Sequence, residues 1–358
     1  MSVRYSSAMF FEQFCDAAGT EFPYSDEWLR DVPVFLREIA DLKNPQFLRS
    51  LIRLETKPTI PLVLDMGEGK RMTYGIHIVA LGTSYINLDY ATDYYSERAR
   101  MASHRRNTAS PEDAYKDPET RLQVLRTAYQ QYALQNPRTV PRPCLASNET
   151  MAKYFARQAI YMTLKECGNF KISFAAQIYA LFGATAVLDP FAGWGDRAIA
   201  AALVPSVRRY LGVDSNAALA GPYGRIRATF DKQIDFLVPE KFENAEIPYG
   251  FDLVLASPPF FDLEVYGNAG EPTESVSCWV NDWLVPCLLK ALSMVVPGGH
   301  LVLYLCDNRR DEDSRYAARC HEELMRRSWN RIKFQGVIAT LREKDTRRVM
   351  PLFIYQKN

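Results

Sequence analysis

The sequence lacks the features that mark membrane, secreted and metal-binding proteins. Its 358 residues contain no run of about 18 apolar residues, and the first residues have no long apolar core, so we expect neither a membrane span nor a signal peptide. Its seven cysteines form no CxxC pair and its four histidines are scattered. This usage favours reduced thiols in the cytoplasm and no metal site.

Two common nucleotide signatures and a strong net charge are also missing. The chain has no GxGxxG turn and no GxxxxGK[ST] loop, which excludes those dinucleotide and phosphate sites. The formal net charge is only +1, so any surface for nucleic acid must be local. One arginine cluster lies in residues 97–106, which we predict to be an exposed loop: Arg98, Arg100, Arg105 and Arg106. Arg105 and Arg106 are candidates for contacts to phosphates, the alternative being an ordinary solvated face.

The regular pattern of the chain begins near residue 148. Strands and helices alternate from there on, which predicts an α/β fold with a mostly parallel sheet. The last two predicted strands, 332–339 and 349–355, are joined by a loop too short for a crossover helix, so we expect them to be antiparallel. A helix over 280–295 should be kinked or split at Pro286.

The preceding part of the chain is less regular. Residues 1–146 form a predicted N-terminal α+β region, a candidate for target recognition, and residues 147–358 form the second domain. The proline-rich segment 136–143 is the predicted linker.

The first candidate motif is Asp189-Pro-Phe-Ala-Gly-Trp-Gly195, between a predicted strand and the small-residue helix 196–203. Its two glycines allow a tight turn that approaches a ligand closely, with helix amides behind it. A second predicted strand, 209–213, leads to Asp214, where a carboxylate can hold a ribose diol. The alternative is a purely structural strand-to-helix turn. A similar string, Val63 to Gly69, is more simply a hairpin turn because an alternating strand pattern follows it.

The second candidate motif is Ser257-Pro-Pro-Phe260, which follows the predicted buried strand 252–256. Two prolines fix the backbone and donate no hydrogen bonds, so carbonyl oxygens remain free to accept. An amine that attacks a methyl sulfonium needs such acceptors, and Phe260 can stack on a base turned out of its helix. The alternative is a rigid turn with aromatic core filler.

Together, DPFAGWGDR, GVDSN, FDLVLASPPFFDLEVY and PGGHLVLY resemble class I S-adenosylmethionine-dependent methyltransferases. More narrowly, they are similar to amino-methylating DNA methyltransferases with a [DNS]PP[YF] motif, in versions found in phages and large DNA viruses. The resemblance covers residues 148–358. It implies a Rossmann-like α/β fold with a mostly parallel seven-stranded sheet and an antiparallel final strand, with the N-terminal region as an extension.

The resemblance also implies S-adenosyl-L-methionine as cofactor and assigns roles to residues. The candidate cofactor-binding residues are Asp189, Pro190, Phe191, Ala192, Gly193, Trp194, Gly195, Asp214, Ser215 and Asn216. The candidate catalytic residues are Ser257, Pro258, Pro259 and Phe260. Weaker candidates for substrate contact are Phe261, Glu264, Tyr266, Arg105 and Arg106. For Glu264 and Tyr266 a solvated loop is the alternative, and Trp194 either packs on the cofactor or fills the sheet edge.

Two departures from the DNA enzymes affect the interpretation. The residue beside the cofactor's adenine is open between Glu240, Phe242 and Glu243. Only 61 residues separate Gly195 from Ser257, which leaves no room there for a target-recognition domain. Recognition would come from residues 1–146 or from the loop 262–277.

Three functions therefore stay open. The leading hypothesis is methyl transfer to an exocyclic amino nitrogen of a DNA base, N4 of cytosine or N6 of adenine. The second keeps the chemistry and changes the acceptor to RNA or a small planar amine, which near-neutral charge favours. The third is a catalytically silent cofactor-binding subunit. The intact Ser257 turn makes this hypothesis less favourable than the first two. These patterns do not determine the oligomeric state.

Overall fold

The computed structural model describes residues 7–25, 29–40, 55–67, 70–80, 88, 90–135, 149–261, 264–265, 275–306, 316–342 and 345–358. The predicted linker 136–143 lies outside them. The helices are α1 (Ser7–Ala18), α2 (Val32–Ala40), α3 (Asp93–Ala102), α4 (Pro111–Lys116), α5 (Pro118–Gln135), α6 (Glu149–Thr163), α7 (Ile172–Leu181), α8 (Asp196–Leu203), α9 (Ala220–Thr229), α10 (Val276–Cys278), α11 (Val285–Ser293) and α12 (Tyr316–Ser328). The strands are β1 (Glu55–Gly67), β2 (Lys70–Ala80), β3 (His104–Arg105), β4 (Ala186–Asp189), β5 (Arg209–Val213), β6 (Gln233–Leu237), β7 (Phe251–Ala256), β8 (Glu264–Val265), β9 (Val295–Tyr304), β10 (Ile332–Arg342) and β11 (Asp345–Lys357). Among the described helices, none has the length and apolar character that crossing a membrane requires.

The chain divides into two compact units. One contains residues 1–30 and 97–168, and the other contains residues 31–96 and 169–358. Residues 31–96, which the sequence analysis assigned to the N-terminal region, thus fall in the unit that holds the sheet. The assignment of target recognition to residues 1–146 stays a prediction.

The larger unit is built on a nine-stranded sheet in the order β1-β2-β10-β11-β9-β7-β4-β5-β6. Strands β6, β5, β4, β7 and β9 run parallel, whereas β11 is antiparallel to both of its neighbours. The seven strands β4 to β7 and β9 to β11 therefore confirm the predicted fold class, including the antiparallel final strand. Their central members are buried on both faces, which explains their near-continuous apolar sequences.

The β1–β2 hairpin extends this sheet beyond the predicted seven strands. Gly67 pairs with Lys70, which confirms the hairpin predicted from the string Val63 to Gly69. Strand β2 then runs parallel to β10, with Ile76 opposite Val337. Alternating patterns in the sequence from about residue 61 onward predict strands, and residues 61–67 and 70–80 form the edge of the main sheet.

The helical stretch before β9 is divided into three parts. A π-helical turn, Trp279–Leu284, separates α10 from α11. Pro286 lies in the first turn of α11 and has no N–H to donate to the preceding π turn, where Asn281 O instead accepts a hydrogen bond from Arg327 Nη1 at 2.8 Å. The helical stretch thus changes from π to α geometry at Val285, next to Pro286, and it ends at Ser293, two residues before the predicted end.

The smaller unit is helical, and it overturns one prediction. Residues 97–102 are not an exposed loop but the second half of α3, in which Glu97 is 1% and Arg100 is 2% exposed. The Glu97 carboxylate accepts hydrogen bonds from Arg157 Nε at 2.6 Å, Tyr161 Oη at 3.2 Å and the Ser25 amide at 2.7 Å. Glu97 and Arg100 therefore lie inside this unit and do not form a solvated face.

Candidate functional site

The two sequence motifs follow neighbouring strands at the point where the strand order reverses. Strand β4 pairs with β7, with Leu188 opposite Val254, while β5 and β6 lie on the other side of β4. Ligands of open α/β sheets bind in the crevice outside the carboxyl ends of the strands at such a point. Asp189 ends β4 and Ser257 follows β7, so both motifs border this crevice.

The glycine motif forms a turn that only glycine can make without strain. Gly193 has φ +59° and Gly195 has φ +98°, and Gly195 is the N-cap of α8. A Cβ on Gly195 would also collide with Ile226 Cδ1. Tyr223 donates a hydrogen bond from its hydroxyl to Gly193 O at 2.5 Å. The turn therefore opens a helix, as a cofactor turn should, and its backbone is held from behind.

Asp189 lies inside the protein and holds the turn together. Its side chain is 0% exposed, and it accepts hydrogen bonds from Arg197 Nε at 2.7 Å and Tyr210 Oη at 2.7 Å. The Phe191 amide donates to the same carboxylate at 3.3 Å, and Arg197 also donates to Phe191 O. The arginine of Gly-Asp-Arg was quoted within the sequence motif, but its buried ion pair with Asp189 was not foreseen.

Asp214 lies at the end of β5 with its carboxylate turned toward the glycine turn. It accepts hydrogen bonds from the Gly193 amide at 2.8 Å and the Asn216 amide at 2.9 Å. Burial raises the pKa of Asp214 to about 6, against the opposing effect of the two amides. A carboxylate has about four acceptor positions, and Asp214 keeps solvent-accessible surface, so it can accept further hydrogen bonds from a diol.

Exposure separates the predicted cofactor residues into two groups. Trp194 is 4% exposed, which favours its role as packing in the sheet edge. The buried members are Asp189, Pro190, Ala192, Trp194, Gly195 and Asn216. The members with solvent-accessible surface are Phe191, Gly193, Asp214 and Ser215.

An aromatic group lies beside the glycine turn on its β6 side. The ring of Phe191 is 6.1 Å from that of Phe242 and 5.4 Å from that of Trp283. Phe242 is buried and Glu243 is exposed, whereas half-buried Glu240 donates its amide to Asp214 O at 2.9 Å. Of the three candidates for the place beside the cofactor's adenine, Glu240 is therefore bonded to Asp214 and Phe242 packs near Phe191.

The Ser257 turn presents a partly accessible edge to the crevice. Ser257, Pro259 and Phe260 are half-buried, while Pro258 is buried. The Phe260 ring meets that of Tyr304 edge to face, with centroids 5.5 Å apart. Tyr304, at the end of β9, meets Phe170 in the same way at 5.8 Å. Neither Tyr304 nor Phe170 was predicted, because the contact joins segments that are distant in sequence.

Phe261 points to a different group of aromatic rings. Its centroid is 5.9 Å from that of Trp279, which lies in the π-helical turn. Trp279 also packs edge to face on Tyr316 at 5.2 Å. The two successive phenylalanines thus contact opposite sides of the crevice edge.

A segment between β2 and β4 in the chain is bonded to the helix that follows the cofactor turn. Thr92 donates a hydrogen bond to the Asp196 carboxylate at the first position of α8, at 2.6 Å, and both side chains are buried. Tyr95 Oη lies 3.0 Å from Thr229 Oγ1. Residues 92–95 are thus part of the unit that carries the site, which their polar sequence did not indicate.

The structure describes the remaining substrate candidates to different extents. Arg105 donates from Nε to Glu166 O at 2.8 Å and Arg106 is exposed. Arg100 is buried and donates to Tyr161 Oη at 2.7 Å, so its inclusion in a surface cluster for phosphates was wrong. Glu264 lies in β8, without a described side chain, and Tyr266 lies outside the described residues.

Comparison with known proteins gives structural similarity alone. No family model matches the chain, and no curated protein sequence matches it. The N-methyltransferase NodS from Bradyrhizobium japonicum WM9 is 14% identical over 52% of this chain and 92% of its own, with a TM-score of 0.35. TrmN from Thermus thermophilus is 20% identical over 53% of this chain and 50% of its own, with a TM-score of 0.40.

A third structure is the 1,6-didemethyltoxoflavin-N1-methyltransferase of Burkholderia thailandensis, with S-adenosylhomocysteine bound. It is 14% identical over 68% of this chain and 91% of its own, with a TM-score of 0.37. Similarity at this level does not establish an activity.

Proposed function

We propose that the chain transfers a methyl group from S-adenosyl-L-methionine to an exocyclic amino nitrogen of a nucleic-acid base, with DNA favoured over RNA. One observation carries this proposal: the glycine turn after β4 and the Ser257 turn after β7 border the same crevice at the switch point of the sheet. A cofactor turn next to an acceptor-rich turn is the arrangement that methyl transfer to an amine requires.

The residues around the glycine turn fit an adenosyl cofactor. The backbone at Gly193 and Gly195 can approach a ligand closely, and Asp214 keeps acceptor positions for a ribose diol. Phe191, within the glycine turn, and Trp283, packed on it, offer aromatic surface. Asp189 acts on the site through the turn that it holds. When bound, S-adenosylmethionine supplies an electrophilic methyl group on a sulfonium.

The Ser257 turn supplies the chemistry that the acceptor needs. The Ser257 hydroxyl and the Pro258 carbonyl accept hydrogen bonds from the two hydrogens of an amino group, which orients its nitrogen lone pair. The same acceptors stabilise the positive charge that grows on the nitrogen as the new bond forms. Phe260 stacks on the planar base, and Tyr304 fixes the angle of that ring.

The test is transfer of labelled methyl from S-adenosylmethionine to unmethylated DNA and RNA, followed by mass spectrometry of the nucleosides. We expect label on the amino nitrogen of cytosine or adenine. Ser257→Ala should lower kcat by about 10²-fold while S-adenosylhomocysteine affinity stays unchanged. Phe260→Leu should raise KM for the nucleic acid, whereas Phe182→Leu, which alters a ring packed on His300 of β9, should not. Absence of label in both polymers with intact cofactor binding would overturn the nucleic-acid assignment.

A small planar amine is the second candidate acceptor. The net charge of +1 supports it, because polyanion binding generally uses a basic surface. The salt dependence of substrate binding separates the two acceptors. A steep loss of affinity with salt indicates a polyanion, and a flat response indicates a small molecule.

A further inference from the structure

The side chain of Lys290, on α11, binds three carbonyl groups of a single turn. Its ammonium group donates hydrogen bonds to the carbonyl oxygens of Phe242 at 2.8 Å, Glu243 at 3.0 Å and Ala245 at 2.6 Å. The ammonium also lies 5.3 Å from the centroid of the Phe242 ring. These three bonds use all three donors of a lysine, so the side chain is committed to residues 242–245.

The near end of the same segment is bonded to the cofactor side of the sheet. Glu240 donates its amide to Asp214 O at 2.9 Å, and Asp214 donates its amide to Leu237 O at 3.1 Å. Further along, the Phe242 ring lies 6.1 Å from that of Phe191 in the glycine turn. Residues 237–245 therefore form one wall beside Asp214 and Phe191, and Lys290 holds the far end of that wall.

We infer that Lys290 is a positioning residue for the adenine side of the cofactor site. It does not touch the ligand. It fixes the turn 242–245, so that Glu240 and Phe242 keep their places beside Asp214 and Phe191 before the ligand arrives. Without it, binding would have to order that turn, and the loss would be confined to the ligand groups that contact the wall. The inference rests on the proposed adenosyl cofactor and does not depend on the methyl acceptor.

The test compares two ligands that differ only by the adenine. Lys290→Met keeps the aliphatic stem and removes the donors, and calorimetry gives its dissociation constants for S-adenosylhomocysteine and for S-ribosylhomocysteine. We expect the first constant to rise about tenfold, a typical size for coupling through a second site, and the second to stay within about twofold. Hydrogen exchange should also become faster at the amides of residues 238–245, and S-adenosylhomocysteine should slow it again.

Two other lysines provide matched controls away from the crevice. Lys232 donates to Val204 O at 2.7 Å, and Lys357 donates to Val295 O at 2.6 Å, both near the amino ends of parallel strands. Lys232→Met and Lys357→Met should lower the thermal midpoint as Lys290→Met does, without changing S-adenosylhomocysteine affinity. If Lys290→Met does not fold, Lys290→Gln replaces it.

Two results would overturn the inference. One is a Lys290→Met variant with unchanged affinity and unchanged exchange at 238–245. The other is equal weakening of both ligands, which would mean a general structural effect. Failure of the wild-type chain to bind S-adenosylhomocysteine would refute the proposed cofactor instead, so the two failures are distinguishable.

Discussion

Replacing Gly195 by alanine measures how much the cofactor turn depends on its backbone conformation. A non-glycine residue at φ +98° costs about 1–3 kcal/mol of backbone strain. The new Cβ would also collide with Ile226 Cδ1, which must leave its rotamer at a cost of about 0.5–1.5 kcal/mol. We therefore expect Gly195→Ala to lower the free energy of unfolding by about 2–4 kcal/mol.

Two further variants separate these contributions in urea unfolding. Gly336→Ala adds a Cβ at φ +126° with no atom within 4 Å, so it shows backbone strain alone. Ile226→Val removes Cδ1 and should itself cost about 0.5–1.5 kcal/mol. Combined with Gly195→Ala, it should relieve the collision and give a favourable coupling of about 1 kcal/mol.

The functional readout is the affinity for S-adenosylhomocysteine. Gly195→Ala should weaken it, since the turn that approaches the ligand is displaced, whereas Gly336→Ala in β10 should leave it unchanged. The reasoning is refuted if Gly195→Ala is no more destabilising than Gly336→Ala, shows no coupling to Ile226→Val and retains full affinity.

Three further predictions concern titration and buried charge. Burial raises the pKa of Asp214 to about 6, and a diol binds the ionised carboxylate better than the protonated form. Calorimetry should therefore show that the cofactor affinity of the wild type falls below about pH 6. The affinity of Asp214→Asn should not show this pH dependence. Burial lowers the pKa of His321 to about 4, so the folded state disfavours the charged ring. The free energy of unfolding should then keep its full contribution from His321 above about pH 7 and fall by about 2–3 kcal/mol as the pH drops from 6.5 toward 4. In denaturant titrations, His321→Gln should make this pH dependence smaller. Glu97→Gln removes a buried carboxylate from Arg157 and should lower the unfolding free energy by about 3–5 kcal/mol, while exposed Glu119→Gln should change it by less than about 0.5 kcal/mol.

The parts of the fold that depend on local sequence were predicted well. Helix 196–203 and strand 209–213 begin and end at the predicted residues, because the glycine turn and the apolar run define their limits. The position of the β1–β2 hairpin was not predicted. A hairpin signal lies in the turn, whereas its place beside β10 depends on edge pairing between segments more than 200 residues apart.

The site shows the same division. Asp189, Gly195, Asp214 and the Ser257 turn could be proposed because each follows a strand that the sequence reveals. Lys290 and Tyr304 could not, since their partners are carbonyl groups and rings elsewhere in the chain. The helix at residues 97–102 was missed because a charged sequence looks the same whether its charges face water or a partner in the interior.

The hairpin on β10 has a practical consequence for fragments of this protein. A fragment that starts at residue 147 would keep every predicted catalytic and cofactor residue, yet it would lack β1 and β2 and the Thr92 bond to α8. Its β10 would then present an open row of backbone donors and acceptors, a template for pairing with another molecule. Such a fragment should self-associate through this edge, so an inactive, aggregated product would reflect an uncovered strand and not a missing catalytic group.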